Sequence, residues 1–383
     1  MKRNGGGILG RFTRLPLLTK SDLRDGFPEN LLGQDRTLDA LLREDLVELD
    51  HTSGTSEERL PVIFARDWWV KQEECALRLN AFIARVLDDH SDARRATLTS
   101  PACNGITCPT VWQPRAHRTS GNALFVNLAR IPFVLSEANL ARMASEIAGW
   151  SPQFLDVDPV HGARFALYCE RRGLKFPTLR FVLCSYEFVS VVHRRILERV
   201  FGVPVFNLYG STETGHLLME NEHGQMKPSE NTAFLEIVDT DAREVGGLVV
   251  TTLTNDYMPL LRYRIGDLAQ RHMLPYGNVY IVHGRARDAL RSPDGVRVTT
   301  WQVDQCFGGV DGIAHYELRQ DKAGECLLRF VPDGSGPTAA GLDGVIARLE
   351  ALLKPPTRIR TESLPVLVPS PSGKFRLTLP TGE

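Results

Sequence analysis

Apolar residues recur at helical spacing over residues 136–149, "SEANLARMASEIAG". Steps of three and four residues put them on one face of a helix that packs against a core: Leu140, Met143, Ala144 and Ile147. Ser136 is a favourable N-cap, and Gly149 is expected just past the end of the helix. The same spacing predicts a helix over 342–353 that ends at Pro355, and a short helix in "TLDALLREDL" nearer the N-terminus.

A change of period marks a strand–helix–strand unit between residues 177 and 210. An apolar run at 181–184 is followed by a helical period, and a second apolar run follows Gly202 and Pro204. Such a unit usually makes two parallel strands joined by a right-handed crossover. From Thr232 onward the apolar residues repeat at every second position, in "NTAFLEIV", "GGLVVTTL" and "GNVYIV". This alternation predicts a β-rich region.

The segment after His283, "HGRARDALRSPDG", has glycines and alternating charges, and we expect a linker there rather than a packed element. Strands near 315–320 and 326–331 precede the helix at the C-terminal side. We therefore expect a large α/β domain over residues 1–284, with parallel strands, helices and a β-rich part. A small mobile α+β domain is expected to follow over residues 285–383.

Composition narrows the class of partner. The 383 residues include 45 Lys and Arg and 46 Asp and Glu, a net charge of -1, so no global field attracts nucleic acid or an anionic membrane. No apolar window long enough for a membrane span or a signal peptide occurs, and the seven cysteines are scattered rather than arranged as a disulfide framework. These features favour a cytoplasmic protein whose partner is a small molecule or another protein.

Residues 50–64, "DHTSGTSEERLPVIF", contain residue types that are typical of a phosphate-binding loop. Backbone N–H groups and hydroxyls of such a loop can surround phosphate oxygens: Thr52, Ser53, Gly54 and Thr55. Glu57 and Glu58 repel a triphosphate unless they point to solvent or reach it through a metal. Taken alone, the stretch is equally well a plain turn.

A second stretch, "NLYGSTETG" at 207–215, directly follows an apolar strand. Open α/β sheets bind ligands in the crevice at the carboxyl ends of their strands. There Tyr209 can stack on a base, and Gly210 allows a close backbone approach. Thr212 offers a hydroxyl to a phosphate, and Glu213 offers a hard oxygen to magnesium. The alternative is a turn with a helix N-cap.

Three further polar positions complete the set. Asp267 in "LLRYRIGDLA" can accept both hydroxyls of a ribose, and Arg285 in the charged segment can meet a ribose or a phosphate. Lys374 is presented by a Ser-Gly turn in "PSPSGKFR". Each has an ordinary alternative, as a strand end, a charged linker or a solvated surface lysine.

The order and spacing of the five stretches resemble the adenylate-forming ligase superfamily, which includes acyl-CoA synthetases, non-ribosomal adenylation domains and luciferases. The resemblance covers about residues 48 to 376. "VLCSYEFVS" before "VFNLYGSTETG", and the short chain, are most similar to the phenylacetate-CoA ligase branch. The resemblance implies ATP-dependent activation of a small carboxylic acid, with an aromatic acid as the first choice. It also implies transfer of the acyl group to a thiol of coenzyme A or of a phosphopantetheinyl carrier protein.

The resemblance also implies where ATP binds. The opening loop would close over the β- and γ-phosphates, Tyr209 and the neighbourhood of Glu187 would frame adenine, and Asp267 would hold the ribose. The full set of implied ATP contacts is Thr52, Ser53, Gly54, Thr55, Glu187, Tyr209, Gly210, Ser211, Thr212 and Asp267.

The same resemblance implies the catalytic groups. Lys374 would reach between the substrate carboxylate and the α-phosphate, Arg285 would act at the domain junction, and Glu213 would bind Mg2+. Arg287 falls at the position of the family's hinge residue, about which the small domain would swivel. Because the lysine serves only the first half-reaction, such a hinge is a functional requirement.

The acid pocket is identified by position in the fold alone. Its candidates are Trp112, Phe133, Asp158 and His216. Aromatic residues are more often core than ligand contacts. An amino acid substrate stays open, because Asp156 and Asp158 offer acidic partners for its ammonium group.

The chain departs from the family's pattern in two places. Residues 56–61 read "SEERLP" where the family usually has Thr-Gly-x-Pro, so whether this loop binds the triphosphate is left open. Arg59 is the candidate for the missing positive charge. "MENEHG" lacks a cysteine ahead of its histidine, and Cys103 and Cys108 are expected to be free thiols, so we do not expect structural zinc. A homodimer is a family-level expectation only.

Two other functional hypotheses remain. One is a degenerate adenylate-binding protein that holds a nucleotide or acyl group without turnover, which the glutamates of the opening loop motivate. The other keeps adenylation but gives the acyl group to an amine or to a protein cysteine.

Overall fold

The computed structural model describes residues 12–32, 36–52, 59–99, 113–126 and 129–380, and the elements are numbered within those ranges. The helices are α1 Lys20–Arg24, α2 Leu38–Arg43, α3 Trp68–Leu77, α4 Ala81–Asp89, α5 Glu137–Trp150, α6 Pro159–Arg172, α7 Val191–Phe201, α8 Thr300–Gln305 and α9 Ala339–Leu353. None of these helices combines the length and the apolar composition that crossing a membrane requires.

The strands share four sheets. Their bounds are β1 Val47–His51, β2 Pro61–Ala65, β3 Arg95–Leu98, β4 Thr119–Ser120, β5 Ala123–Phe125, β6 Phe154–Val157, β7 Phe181–Cys184, β8 Val205–Ser211, β9 Gly215–Glu220, β10 Met226–Pro228, β11 Ala233–Val238, β12 Gly246–Thr252, β13 Tyr263–Leu274, β14 Gly277–Arg285, β15 Leu290–Arg291, β16 Arg297–Val298, β17 Ile313–Gln320, β18 Cys326–Pro332, β19 Ile359–Ser363 and β20 Thr378–Pro380.

A twelve-stranded sheet forms the centre of the large domain, in the order β11-β12-β13-β14-β10-β9-β8-β7-β6-β3-β5-β4. The strands from β5 through β3, β6 and β7 to β8 are parallel, and from β8 to β11 the sheet is antiparallel. The predicted strand–helix–strand unit is therefore confirmed as β7–α7–β8. The carboxyl ends of the parallel strands open on one edge, where ligands bind in such sheets.

Helix α5 agrees with its sequence pattern except at its C-terminus. The Ser136 side chain accepts from the Asn139 amide at 3.2 Å, and the four apolar positions of the predicted face are buried. The position expected for Gly149 is wrong, because Gly149 lies inside the helix and Ser151 takes the left-handed conformation (φ 52°) that ends it. The Trp150 indole donates to the Arg95 carbonyl at 2.9 Å, which holds the extra residues of the helix against β3.

The small domain has a four-stranded sheet in the order β19-β18-β17-β20, with α9 packed against β19, whereas α8 packs against α9 and β14. Strands β17 and β18 confirm those expected near 315–320 and 326–331, and α9 begins three residues before the predicted start at 342. The expectation of an unpacked linker after His283 is wrong. Strand β14 continues to Arg285, Leu290 is fully buried in the β15–β16 pair, and buried Asp288 forms an ion pair with Arg376. The boundary at residues 284–285 stays a prediction.

Helix α7 of the large domain is capped from the small domain. Asp304 in α8 accepts hydrogen bonds from the Ser190 hydroxyl, from the Val191 amide at 3.0 Å and from the Tyr316 hydroxyl at 2.7 Å. Asp304 is 1% exposed, and burial raises its pKa to about 6. The helix N-terminus favours a negative charge at this position. A side chain of one domain thus satisfies the first free backbone donor of a helix in the other, and the Ser190 hydroxyl satisfies the next one, the Val192 amide.

Two buried histidines meet at the same interface. His193 Nε2 of α7 and His315 Nδ1 of β17 are 3.1 Å apart, and their rings stack at 14°. Burial lowers the pKa of His193 to about 3 and that of His315 well below its ordinary value. Both rings are therefore neutral at physiological pH, and one of them donates to the other. Apolar residues of both domains join one continuous core around them.

We predict that Asp304→Ala lowers the free energy of unfolding by about 3 kcal/mol, because three interior donors lose their acceptor and each unmade buried hydrogen bond costs about 1–3 kcal/mol. Chemical denaturation monitored by fluorescence measures the change. Asp311→Ala is the matched control, since Asp311 pairs with Arg195 at the rim of the same interface and is 73% exposed. An exposed ion pair contributes at most about 1 kcal/mol. Equal losses in both variants would contradict an interface held by Asp304.

Candidate active site

Lys374 of the small domain enters the crevice at the carboxyl ends of the parallel strands. Its ammonium Nζ donates to the carbonyl of Tyr186, just after β7, at 2.9 Å. The lysine is presented by a turn in which the Gly373 amide donates to the Ser370 carbonyl at 2.9 Å, with Gly373 at φ 88°. A side chain that the sequence alone allowed to be solvated surface is therefore placed in the crevice by the fold.

The loop that receives Lys374 is held in an uncommon conformation. Tyr186 has φ 73°, a left-handed conformation that is costly for a residue with a Cβ and is found mainly at functional sites. Its hydroxyl donates to Asp156 Oδ2 at 2.7 Å, and the Ser185 hydroxyl donates to Asp156 Oδ1 at 2.8 Å. Burial raises the pKa of Asp156, and the charge of Arg95 opposes that rise. The carboxyl group beneath the loop thus fixes where the Tyr186 carbonyl points.

Glu187 contacts the residue that follows the lysine. Its Oε1 accepts from the backbone amide of Phe375 at 2.9 Å. Withdrawal from water, and then the nearby Asp158 carboxylate, raise the pKa of Glu187 well above its ordinary value. The resemblance implied that the neighbourhood of Glu187 frames adenine. The Glu187 carboxyl group contacts the backbone of the small domain, and the adenine contact stays a prediction.

Asp158 is fully buried at the start of α6. Its Oδ1 accepts from the amides of Val160 at 2.9 Å and His161 at 3.2 Å, which makes it the N-cap of the helix. Its Oδ2 is buried and has no hydrogen-bond partner within the described ranges. This oxygen belongs to the carboxylate that faces Glu187. Asp158 therefore caps α6 and lies close to Glu187, the residue that contacts the lysine segment.

A second network lies beside the first, across β8, β13 and β14. The Tyr209 hydroxyl donates to Asp267 Oδ2 at 2.6 Å, and Arg285 Nε is 3.1 Å from Asp267 Oδ1. A further hydrogen bond joins Arg285 to the Ile265 carbonyl at 3.1 Å. The Asp267 charge raises the pKa of Arg285, whereas burial raises that of Tyr209 well above 10. Three of the residues that sequence reasoning selected are thus in direct contact.

Glu213 lies in the tight turn between β8 and β9. Its carboxylate is buried, and its Oε1 accepts from the Tyr263 hydroxyl at 3.0 Å. Magnesium usually takes one or two protein carboxylates together with substrate phosphate oxygens and water. A single carboxylate oriented by one hydroxyl fits that pattern, so Glu213 can hold the ion. The turn also requires Gly210, because a Cβ there would be 2.2 Å from the Gly215 carbonyl oxygen.

Two other members of the predicted ATP site lie in this turn. Ser211 shares a hydrogen bond of 2.9 Å with the Thr214 hydroxyl, which tightens the turn, and Thr212 is half-buried beside it. Thr52 lies at the base of the opening loop, where its amide and hydroxyl both bond to the backbone of Leu60. The remaining loop candidates, Ser53, Gly54 and Thr55, lie outside the described residues, as do Glu57 and Glu58.

The candidates for the acid pocket are dispersed. Phe133 packs against His315 and Phe375 at the domain interface, with ring centroids 5.7 and 5.9 Å away. His216 lies 4.9 Å from the Trp69 ring, its Nε2 is buried without a hydrogen-bond partner in the described part of the chain, and burial lowers its pKa. Trp112 lies outside the described residues. Among the four candidates, His216 and Asp158 each keep one polar atom without a hydrogen-bond partner in the described ranges, Nε2 and Oδ2 respectively.

The predicted hinge residue, Arg287, is in a short 3-10 turn at Ala286–Asp288, and its side chain is 56% exposed.

Sequence reasoning missed Tyr186 and the Arg95–Glu73 ion pair. The two charged groups of that pair are 2.6 Å apart, and both act on His216. The signal for Tyr186 was its position directly after a buried strand. An ion pair between β3 and α3 leaves no mark in a single sequence.

Metal-binding clusters of three or more His, Cys, Asp or Glu side chains do not occur among the residues that the structure describes. Five cysteines in those ranges are free thiols: Cys75, Cys169, Cys184, Cys306 and Cys326. Cys103 and Cys108 lie outside the described residues, so the expectation that they are free thiols stays a prediction, as does the expectation about zinc.

Comparisons of the sequence find curated relatives, although no protein-family model matches the chain. A phenylacetate-coenzyme A ligase of Thermus thermophilus is 26% identical over 328 residues, which are 80% of this chain and 68% of that protein. A phenylacetate-coenzyme A ligase of Escherichia coli is 24% identical over 348 residues, 82% and 71% of the two chains. The resemblance inferred from the motifs is thus confirmed over most of the chain.

A solved structure of 2-hydroxyisobutyryl-CoA ligase, in the postadenylation state with 2-HIB-AMP, superposes with a TM-score of 0.67 at 15% identity. The match covers 96% of this chain and 80% of that one. The same ligase in the thioesterification state, with 2-HIB-AMP and CoA, superposes with a TM-score of 0.52 at 16% identity, over 97% and 81%. The expected α/β fold is confirmed.

Proposed function

We propose that this chain, which belongs to the phenylacetate-CoA ligase-like branch of the adenylate-forming ligases, activates a small carboxylic acid with ATP and passes the acyl group to coenzyme A. In the first step a carboxylate oxygen bonds to the α-phosphorus and the bond to the β-phosphate oxygen breaks, which releases pyrophosphate. The thiol then attacks the acyl carbon, and AMP leaves with the oxygen that came from the acid.

The single observation that carries the proposal is the entry of Lys374 into the crevice, with its ammonium on the Tyr186 carbonyl at 2.9 Å. A carboxylate and an α-phosphate are both anionic, so their approach requires a cation between them. One lysine fixed in position supplies that charge without reorganisation during the reaction. Mg2+ held by Glu213, when bound, would supply further neutralisation of the phosphate oxygens.

ATP binding is assigned to the second network and to the loop above it. The ribose hydroxyls donate to Asp267, which Tyr209 and Arg285 already hold in place at 2.6 and 3.1 Å. Adenine stacks near Tyr209, the Thr212 hydroxyl bonds to the α-phosphate, and the loop from Thr52 to Thr55 closes over the other phosphates. The support is that Tyr209, Asp267 and Arg285 are in direct contact, and that Thr212 directly follows the strand that carries Tyr209.

The thiol step requires the small domain to move, because Lys374 occupies the crevice in the arrangement described. Arg287, half-exposed in its short turn, is the proposed pivot. Coenzyme A is the preferred acceptor, since both relatives are coenzyme A ligases. A phosphopantetheinyl carrier protein is the other thiol acceptor, and a homodimer remains a family-level proposal.

An aromatic acid remains the first choice of substrate. An amino acid is less favoured, because the positive charge of Arg95 already lies close to the Asp156 carboxyl group. His216 Nε2, beside the Trp69 ring, is a polar atom without a hydrogen-bond partner in the described part of the chain. An aromatic acid with a polar substituent suits that combination of a ring and a hydrogen-bonding group.

We predict that Lys374→Ala lowers ATP–pyrophosphate exchange by about 10²- to 10³-fold, the usual loss when one fixed transition-state donor is removed. The measurement is exchange over a panel of aryl, fatty and amino acids with magnesium. Lys322→Ala removes the same charge from an exposed turn of the same domain and should leave exchange unchanged. A folded wild-type protein that exchanges with no acid would favour a degenerate adenylate-binding protein.

A second prediction concerns ATP itself. Asp267→Ala should weaken ATP binding by about tenfold to a hundredfold, because each hydrogen bond to a charged group contributes about 1.5–3 kcal/mol. Calorimetric titration measures the dissociation constant. Asp239→Ala, at a site that is 70% exposed, is the matched control. An unchanged dissociation constant in folded Asp267→Ala would rule out ribose binding at this carboxylate.

A further inference from the structure

The lysine of this site has two requirements that conflict. Lys374 must be fixed in the crevice, and its charge must remain available for the carboxylate and the phosphate. A carboxylate anchor would fix the lysine but would also neutralise its charge. The hydrogen-bond partner of Lys374 is instead the neutral carbonyl of Tyr186, although Glu187 is the next residue along the chain.

The position of the lysine segment is set by its backbone. The amide of Phe375, one residue after Lys374, donates to Glu187 Oε1 at 2.9 Å. An amide needs only an acceptor oxygen, which a neutral carboxylic acid supplies as well as a carboxylate does. Docking the segment through Phe375 therefore does not require a charge on Glu187.

The surroundings of Glu187 favour its neutral form. Asp158 lies close to it, and two carboxylates in a site withdrawn from water cannot both ionise without a large cost. The nearby Lys374 ammonium acts in the opposite direction, and burial and Asp158 together outweigh it. The amides at the N-terminus of α6, from Val160 and His161, bond to Asp158 Oδ1 and stabilise the negative charge there. The proton of the pair thus belongs on Glu187.

A proton shared between the two carboxyl groups would also give a hydrogen-bond partner to a buried oxygen that lacks one. Asp158 Oδ2 is buried and lacks a hydrogen-bond partner in the described ranges. A protonated Glu187 would be able to donate to Asp158, whose side chain is within hydrogen-bonding reach, while its Oε1 still accepts from Phe375. A continuous chain of hydrogen bonds then runs from the Phe375 amide through Glu187 and Asp158 to the start of α6.

We propose that Glu187 is a positioning residue: as a neutral acid that shares its proton with Asp158, it docks the backbone of the small domain and leaves the charge of Lys374 free. This inference rests on the proposed function, because it assigns a role in the adenylation half-reaction. It assigns no contact between Glu187 and either substrate.

The test compares Glu187→Ala with Glu187→Gln. The alanine variant loses the acceptor, so the rate constant kcat of ATP–pyrophosphate exchange should fall about tenfold, with KM for ATP unchanged. Glutamine keeps an acceptor for Phe375 and a donor for Asp158 without a charge, so it should restore exchange to within about threefold of wild type. Glu230→Ala, at an exposed site, is the control for loss of a surface carboxylate.

Two kinetic outcomes would overturn the inference. Glutamine as damaging as alanine would mean that a carboxylate charge is needed, and full activity in the alanine variant would mean that the docking bond has no role. Hydrogen exchange of the Phe375 amide in ligand-free protein provides a readout that does not depend on turnover. It should be about tenfold faster in Glu187→Ala than in wild type and close to wild type in Glu187→Gln.

The amide measurement separates this inference from the proposed function. A wild-type protein that shows no pyrophosphate exchange would defeat the proposed function, while the amide rates would still test the docking bond. Equal Phe375 exchange rates in wild type and Glu187→Ala would overturn the inference even in an active enzyme.

Discussion

The structure depends on one constraint: the lysine needed in the crevice belongs to a different domain from the crevice itself. The large domain supplies the strand ends and the side chains proposed to bind ribose, whereas Lys374 lies on a turn of the small domain. Correct placement of one ammonium group therefore requires the whole interface between the domains to form. Within that interface, the hydrogen bonds from Lys374 to Tyr186 and from Phe375 to Glu187 lie nearest to the proposed reaction site.

The rest of the interface is built to hold this arrangement firmly. Asp304 caps α7 from the other domain, and the His193–His315 pair is buried in neutral form beside it. Both features lie in an apolar core shared by the two domains. The proposed movement of the small domain for the thiol step would expose part of that core and release the cap. Binding of the thiol substrate would have to compensate for that loss.

The fold was largely predictable because the pattern of apolar residues changes where the architecture changes. The period of 3.6 identified α5 and α9, and the apolar runs around α7 identified two parallel strands. The errors arose where tertiary contacts override local signals. Gly149 lies inside α5 because the Trp150 indole bonds to Arg95, and the charged segment after His283 is packed because Asp288 meets Arg376. Neither contact can be read from local sequence.

The candidate site divides in the same way. Tyr209, Asp267 and Arg285 were selected by motif order, and the structure brings them into contact. The neighbourhood of Glu187 was selected for adenine, which stays a prediction. The bond from the Phe375 amide to Glu187 was not foreseen, because it depends on how the domains dock. The role of Tyr186 rests on a left-handed backbone conformation, which the sequence does not predict for a tyrosine. Motifs therefore identify ligand-facing groups better than the residues that position them.

The central claim is that a carboxylate oxygen attacks the α-phosphorus of ATP in this crevice. The most direct measurement uses an acid labelled with ¹⁸O in its carboxylate, turned over with ATP and coenzyme A, followed by mass spectrometry of the nucleotide product. The account predicts AMP that carries one ¹⁸O atom. Formation of ADP, or of AMP without the label, would contradict it.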